Sequence, residues 1–131
     1  MDTALSVEEK LFELKDGNSL FFQYHFVDEE QPTLIFLNGL SQSTMSWAAV
    51  APKFIGKNNV LLLDLVFQGK STADGEFRSY DQHANDVTAL VDSLMIKKPV
   101  LCGLSYGSAV AQHALVQFPD KYVGGILMST F

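Results

Sequence analysis

One cysteine, one tryptophan and three histidines are all that this 131-residue chain holds of the side chains that most often build disulfides and metal centres. A lone cysteine excludes an internal disulfide. Cys102 lies inside an apolar run and reads as core packing in a reducing compartment, so a cytoplasmic location is expected. His25, His83, His113 and Cys102 show no metal-ligand spacing, and no metal is expected. Positive charge is also scarce: 9 Lys and Arg against 15 Asp and Glu leave a net charge of −6. That balance argues against a nucleic-acid partner and offers no basic stripe to anionic membranes. No apolar run approaches the ~20 residues that cross a bilayer. Asp2, Glu8 and Glu9 make the first residues unlike a signal peptide. There is no internal repeat, low-complexity tract or linker composition, and at 47% hydrophobic residues the chain reads as one domain over residues 1–131.

The elements that are present alternate. Residues 7–14 and 19–27 flank Lys15-Asp16-Gly17-Asn18, a hairpin turn between two strands. Thr33–Leu37 is a continuous apolar run, as expected of a central parallel strand buried on both faces, and Val60-Leu61-Leu62-Leu63 reads as a further strand. Residues 44–54 read as a helix. So do residues 80–96, where Ala84, Val87, Leu90, Val91, Leu94 and Met95 repeat at helical spacing, with Asp81 near the start. Residues 123–128 form a last apolar strand. Alternation of this kind calls for an α/β fold: an N-terminal hairpin, then a mostly parallel sheet with helices on both faces.

The densest chemical signal is Gly103-Leu104-Ser105-Tyr106-Gly107. A strand, Pro99-Val100-Leu101-Cys102, precedes it, and residues 108–116 follow as a helix with small residues on its packing side. In that setting G-x-S-x-G is a nucleophile elbow: the glycines relieve crowding in a tight turn, and the serine is held in a strained conformation at the positive end of the next helix. A second segment points to the same site. The strand over Thr33–Leu37 stops at Asn38-Gly39-Leu40, and Ser41, Gln42, Ser43 and Thr44 lead toward Trp47. Gly39 lets the backbone approach a ligand and frees the Leu40 amide to point into the site. The third segment, Asp64-Leu65-Val66-Phe67-Gln68-Gly69-Lys70-Ser71, ends in a Gly-Lys-Ser that mimics a phosphate-binding loop. That reading fails because Asp64 stands where the motif needs its first glycine, and a turn at Ala73-Asp74-Gly75 follows in place of a helix.

Together these three segments resemble the α/β-hydrolase family of serine-hydrolase type. The resemblance implies that Ser105 is the nucleophile and that the backbone N–H groups of Leu40 and Tyr106 form the oxyanion hole. Asn38, which stands where the family usually has histidine, would brace the loop together with Gly39, and Gly103 and Gly107 would support the elbow. The implied chemistry is acyl transfer from an ester or related acyl substrate, without a cofactor. The Asp64 to Ser71 loop is similar to that of the acyltransferase-like enzymes joining hydroxy-fatty acyl chains in rhamnolipid synthesis. It fits carboxylesterases and lipase-like hydrolases equally well. An acyltransferase and a non-catalytic binding protein of the same fold therefore remain as alternatives. A serine in place of aspartate at the elbow argues against dehalogenase or epoxide hydrolase chemistry.

The family's acid and base come after the serine, in that order. Here only Asp120 and His113 follow Ser105. At ~1.5 Å per residue His113 lies roughly 12 Å down the helix axis, out of hydrogen-bond reach. Asp120 belongs to the turn at the opposite end of the sheet, His25 to the remote hairpin, and His83 to the first helical turn, in a surface or capping role. No complete triad can be assembled. The chain therefore reads as the front half of the fold, truncated after its sixth strand. The strand at residues 123–128 is then an apolar edge, open to self-association or to a complementing chain that carries the missing acid and histidine.

Overall fold

The computed structural model describes residues 5–40, 42–72 and 78–129. Asp2, Ser41 and the turn expected at Ala73-Asp74-Gly75 lie outside the described residues.

Eight elements follow in the order β1 (Ser6–Glu13), β2 (Ser19–Phe26), β3 (Thr33–Leu37), β4 (Asn59–Leu63), α1 (Tyr80–Ser93), β5 (Pro99–Leu104), α2 (Tyr106–Gln117) and β6 (Gly124–Met128). The strands form one sheet in the order β1-β2-β4-β3-β5-β6. β1 and β2 are antiparallel, as are β2 and β4, while β4, β3, β5 and β6 run parallel. The apolar runs occupy the middle of the sheet because only there are both faces covered. Ile35, Leu37, Val60, Leu61, Leu63 and Leu101 are fully buried.

Two cores lie on opposite faces. On one, Leu37, Leu61, Leu63 and Leu101 pack against Ala84, Val87, Leu90 and Val91 of α1 and Val110, Ala111 and Ala114 of α2. On the other, Phe36, Val60, Leu62 and Cys102 pack against Trp47 and Ala51. The helix expected over residues 44–54 is instead two short 3-10 turns, Thr44–Trp47 and Ala51–Lys53. Pro52 gives the reason: it carries no N–H, and its ring would clash with the carbonyl four residues back. Those turns are the helical cover of the second face.

α1 starts at a capping box. Ser79 Oγ accepts from the Gln82 N–H (3.1 Å), and Gln82 Oε1 accepts from the Ser79 N–H (2.8 Å). It ends earlier than the periodicity suggests. Met95, expected on the apolar stripe, has φ 52 and is exposed, as befits a residue past the helix end. Arg78 ties this helix to the β1–β2 turn through a paired contact with Asp86 (2.6 and 2.8 Å) and a second with Asp16 (2.8 Å). Burial holds the Asp86 carboxyl above its ordinary value despite the arginine. The Asn18 backbone N–H, followed by Arg78, takes Asp16 down to about 2.

The order β4-β3-β5 places a reversal at β3. The connection from β3 to β4 runs across one face and α1 returns across the other, so a crevice opens outside the carboxyl ends of β3 and β5. Asn38-Gly39-Leu40 and Ser105 stand there.

Candidate active site

Ser105 joins β5 directly to α2 with φ 54 and ψ −111, a conformation that a side-chain-bearing residue seldom adopts. The surroundings hold it there. Its N–H donates to Met128 O at the end of β6 (2.9 Å), and its carbonyl accepts from Ser108 N–H (2.9 Å) and Ala109 N–H (3.2 Å) as α2 begins. Neighbouring backbone explains the two glycines. A Cβ at Gly107 would overlap Leu37 O and lie 2.7 Å from Asn38 O, and one at Gly103 would lie 2.7 Å from the Ser108 Cα. The elbow is thus pressed against the end of β3, which brings Ser105 and the Asn38-Gly39-Leu40 loop together.

That loop rests on a buried polar network. Asn38 is completely buried, and its Nδ2 donates toward Leu63 O (3.0 Å), Asp64 Oδ1 (3.1 Å) and Gln68 Oε1 (3.1 Å). Its Oδ1 accepts from Trp47 Nε1 (2.7 Å). Asp64 Oδ1 also accepts from Thr44 N–H (2.8 Å), and Oδ2 from Lys70 N–H (2.9 Å). Gln68 Nε2 donates to Gly39 O (3.0 Å). Buried groups of this kind are costly unless paired, so the network fixes the loop in one arrangement. The space beside Gly39 is taken by Gln42, whose Oε1 accepts the Gly39 N–H at 2.9 Å; a neighbouring side chain, not a ligand, approaches this glycine. Leu40 is 70% exposed at the crevice.

Tyr106 begins α2 with its ring against two residues of α1: Tyr80 (centroids 5.2 Å apart) and, edge-on, His83 (5.5 Å). His83 is the main departure from expectation. It is neither at the surface nor a cap: only 2% exposed, it fills the core below the elbow, and its Nδ1 has no partner. Burial, with the positive charge of Arg78 second, pulls its pKa down to about 4. The spacing carried the signal, since His83 stands one helical turn before Val87 on the buried side.

The sequence matches the model of the alpha/beta hydrolase fold over residues 32–131, a span containing both the Asn38 loop and the Ser105 elbow. The chain belongs to the α/β-hydrolase family. An uncharacterized hydrolase of Bacillus subtilis, YugF, is 27% identical over 114 residues, which cover 86% of this chain and 41% of that protein. Epoxide hydrolase 4 of mouse is 29% identical over 118 residues, 88% of this chain and 33% of that one. Among solved structures, a hydrolase from Pseudomonas aeruginosa superposes with a TM-score of 0.86 at 24% identity, covering 94% of this chain and 46% of its own. The chain therefore spans less than half the length of these relatives.

Within this α/β-hydrolase chain the remaining titratable groups stand apart from the elbow. His113 Nδ1 pairs with Asp81 Oδ1 (2.6 Å) in an open groove between α1 and α2, where Gln117 also donates to Asp81. The histidine contact comes first among the causes that hold Asp81 below its usual range. His25 lies on β2, its pKa lowered by burial. Cys102 is buried and unbridged, its thiol pushed up to about 11. Among the described residues no group of three His, Cys, Asp or Glu could hold a metal, and no helix is long and apolar enough to cross a membrane.

Proposed function

We propose that this chain carries the nucleophile half of a serine hydrolase acting on carboxylic esters or related acyl groups. The supporting observation is the backbone of Ser105, φ 54 and ψ −111, at the carboxyl end of β5 and facing the Leu40 loop. In this reading the Ser105 Oγ attacks the acyl carbonyl carbon, and the amides of Leu40 and Tyr106 receive the charge on the carbonyl oxygen. The leaving group departs with a proton, and water then releases the acyl group. An alcohol in place of water would make the same site an acyltransferase. Some relatives are named epoxide hydrolase or haloalkane dehalogenase, but serine at the elbow suits acyl transfer. The general base and its acid come from outside these 131 residues, because His113 is engaged with Asp81 and His83 is enclosed.

Imidazole in solution can stand in for the missing base. With it, a fluorophosphonate should label the chain at Ser105 faster than without it, and Ser105→Ala should remove the label. Peptide mass spectrometry identifies the adduct. Labelling that survives Ser105→Ala would end this reading.

We infer also that β6 pairs with a further strand, from a second copy or a complementing chain. Among the described residues it is the sheet's edge, with Ile126 half exposed and Val123 and Leu127 open to solvent. Sedimentation across a dilution series should show association. A monomer at every concentration would refute pairing between copies and leave a separate complementing chain as its source.

A further inference from the structure

Phe67 has φ 77, a left-handed conformation in which a bulky side chain is a rare outlier. The loop around it is tightly built: Phe67 N–H donates to Thr72 O (2.8 Å), Gln68 N–H to Leu65 O (2.8 Å) and Ser71 N–H to Gln68 O (3.0 Å). The strain is thus imposed by an ordered turn. It is not repaid by core packing, since Phe67 is 40% exposed while Val66 and Gln68 on either side are buried. Its position is also defined. Gln68 Nε2 donates to Gly39 O, so Phe67 and the exposed Leu40 flank one and the same contact at the crevice. Single exposed apolar residues are ordinary. Two that flank one contact on the loop next to the elbow, one of them held in strain, call for an apolar ligand.

We propose that Phe67, with Leu40, forms an apolar lip that receives the hydrocarbon chain of the acyl substrate and sets chain-length preference. This rests on the reading of Ser105 and the Leu40 and Tyr106 amides given above. With the acyl carbonyl at those amides, a chain of several methylenes leaving the crevice along the Leu40 loop would cover both side chains. Neither residue offers a charge or a hydrogen bond, so the lip favours alkyl over polar acyl groups.

Butanoate, hexanoate and octanoate are suitable probes, because the carboxylate can sit at the amides without any reaction. Titration of the 131-residue chain, followed by two-dimensional amide NMR, should move the Leu40 and Tyr106 signals. Affinity should rise roughly two- to fourfold per added methylene. Phe67→Asn keeps the left-handed backbone accessible and should flatten that chain-length dependence while the butanoate response stays. Phe67→Gly should do the same and melt no lower than the parent, because it relieves the strain. An unchanged chain-length dependence in both variants, or a Phe67→Gly protein that melts lower, overturns the lip but leaves the oxyanion reading intact. If no carboxylate moves the Leu40 and Tyr106 amides, the oxyanion reading fails and the lip falls with it.

Discussion

Gly107→Ala is expected to cost about 3 kcal/mol, a large share of the roughly 5–15 kcal/mol that stabilises a small domain. The added methyl would overlap Leu37 O and press on Asn38 O, backbone atoms at and just past the end of a central strand. They cannot swing aside as a side chain can. β3 is held on both edges, by β4 and β5, so relief would require breaking its parallel pairing. Gly39→Ala makes the control. Its nearest obstacle is the end of the flexible Gln42 side chain, at 2.6 Å, so its cost should be the smaller of the two. Urea denaturation of both variants measures the difference. Equal midpoints for Gly107→Ala and the parent would contradict the close approach of elbow and strand.

The second large effect is a loss of stability on acidification, traced to His83. In the folded chain its pKa is lowered from 6.5 to about 4, chiefly by burial. Below pH 6.5 the unfolded chain therefore binds a proton that the folded chain refuses. Stability is fully present above 6.5, falls as the pH drops toward 4, and levels off once the folded form also protonates. The whole step is on the order of 3 kcal/mol. Other groups act in or near this window. His25, also lowered by burial, acts in the same direction. Asp86, raised by burial, acts oppositely, and Asp16, lowered to about 2, matters only below its ordinary value of 3.8. Comparison with His83→Phe isolates the one residue: the difference in unfolding free energy between parent and variant should change steadily from pH 7 to pH 4. A constant difference would mean that His83 does not titrate in isolation from water.

Much of this fold was legible because long apolar runs have few places to go. Thr33–Leu37 and Pro99–Leu104 could only be buried parallel strands, and the glycines around Ser105 marked the turn between strand and helix. Local chemistry misled in two places. Residues 44–54 carry helix-forming residues, but Pro52 limits them to short turns. The place of His83 in the first helical turn suggests a surface or capping role, but its spacing from Val87 and Leu90 puts it inside. The network under the Leu40 loop was not legible. Asn38 could be expected to brace something, but its contacts with Asp64 and Gln68 join positions 26 and 30 residues apart. Such pairings exist only once β3 and β4 lie side by side.

Trp47 is the chain's one indole, and its N–H is bonded to Asn38 directly beneath the loop that carries Leu40. All tryptophan emission therefore originates in the core just beneath the Leu40 loop. A shift of the loop that lengthens the 2.7 Å bond alters the indole's polar surroundings before the sheet is disturbed. The molecule comes with an optical gauge of its own site, and wavelength changes that precede loss of far-ultraviolet dichroism separate loop opening from unfolding.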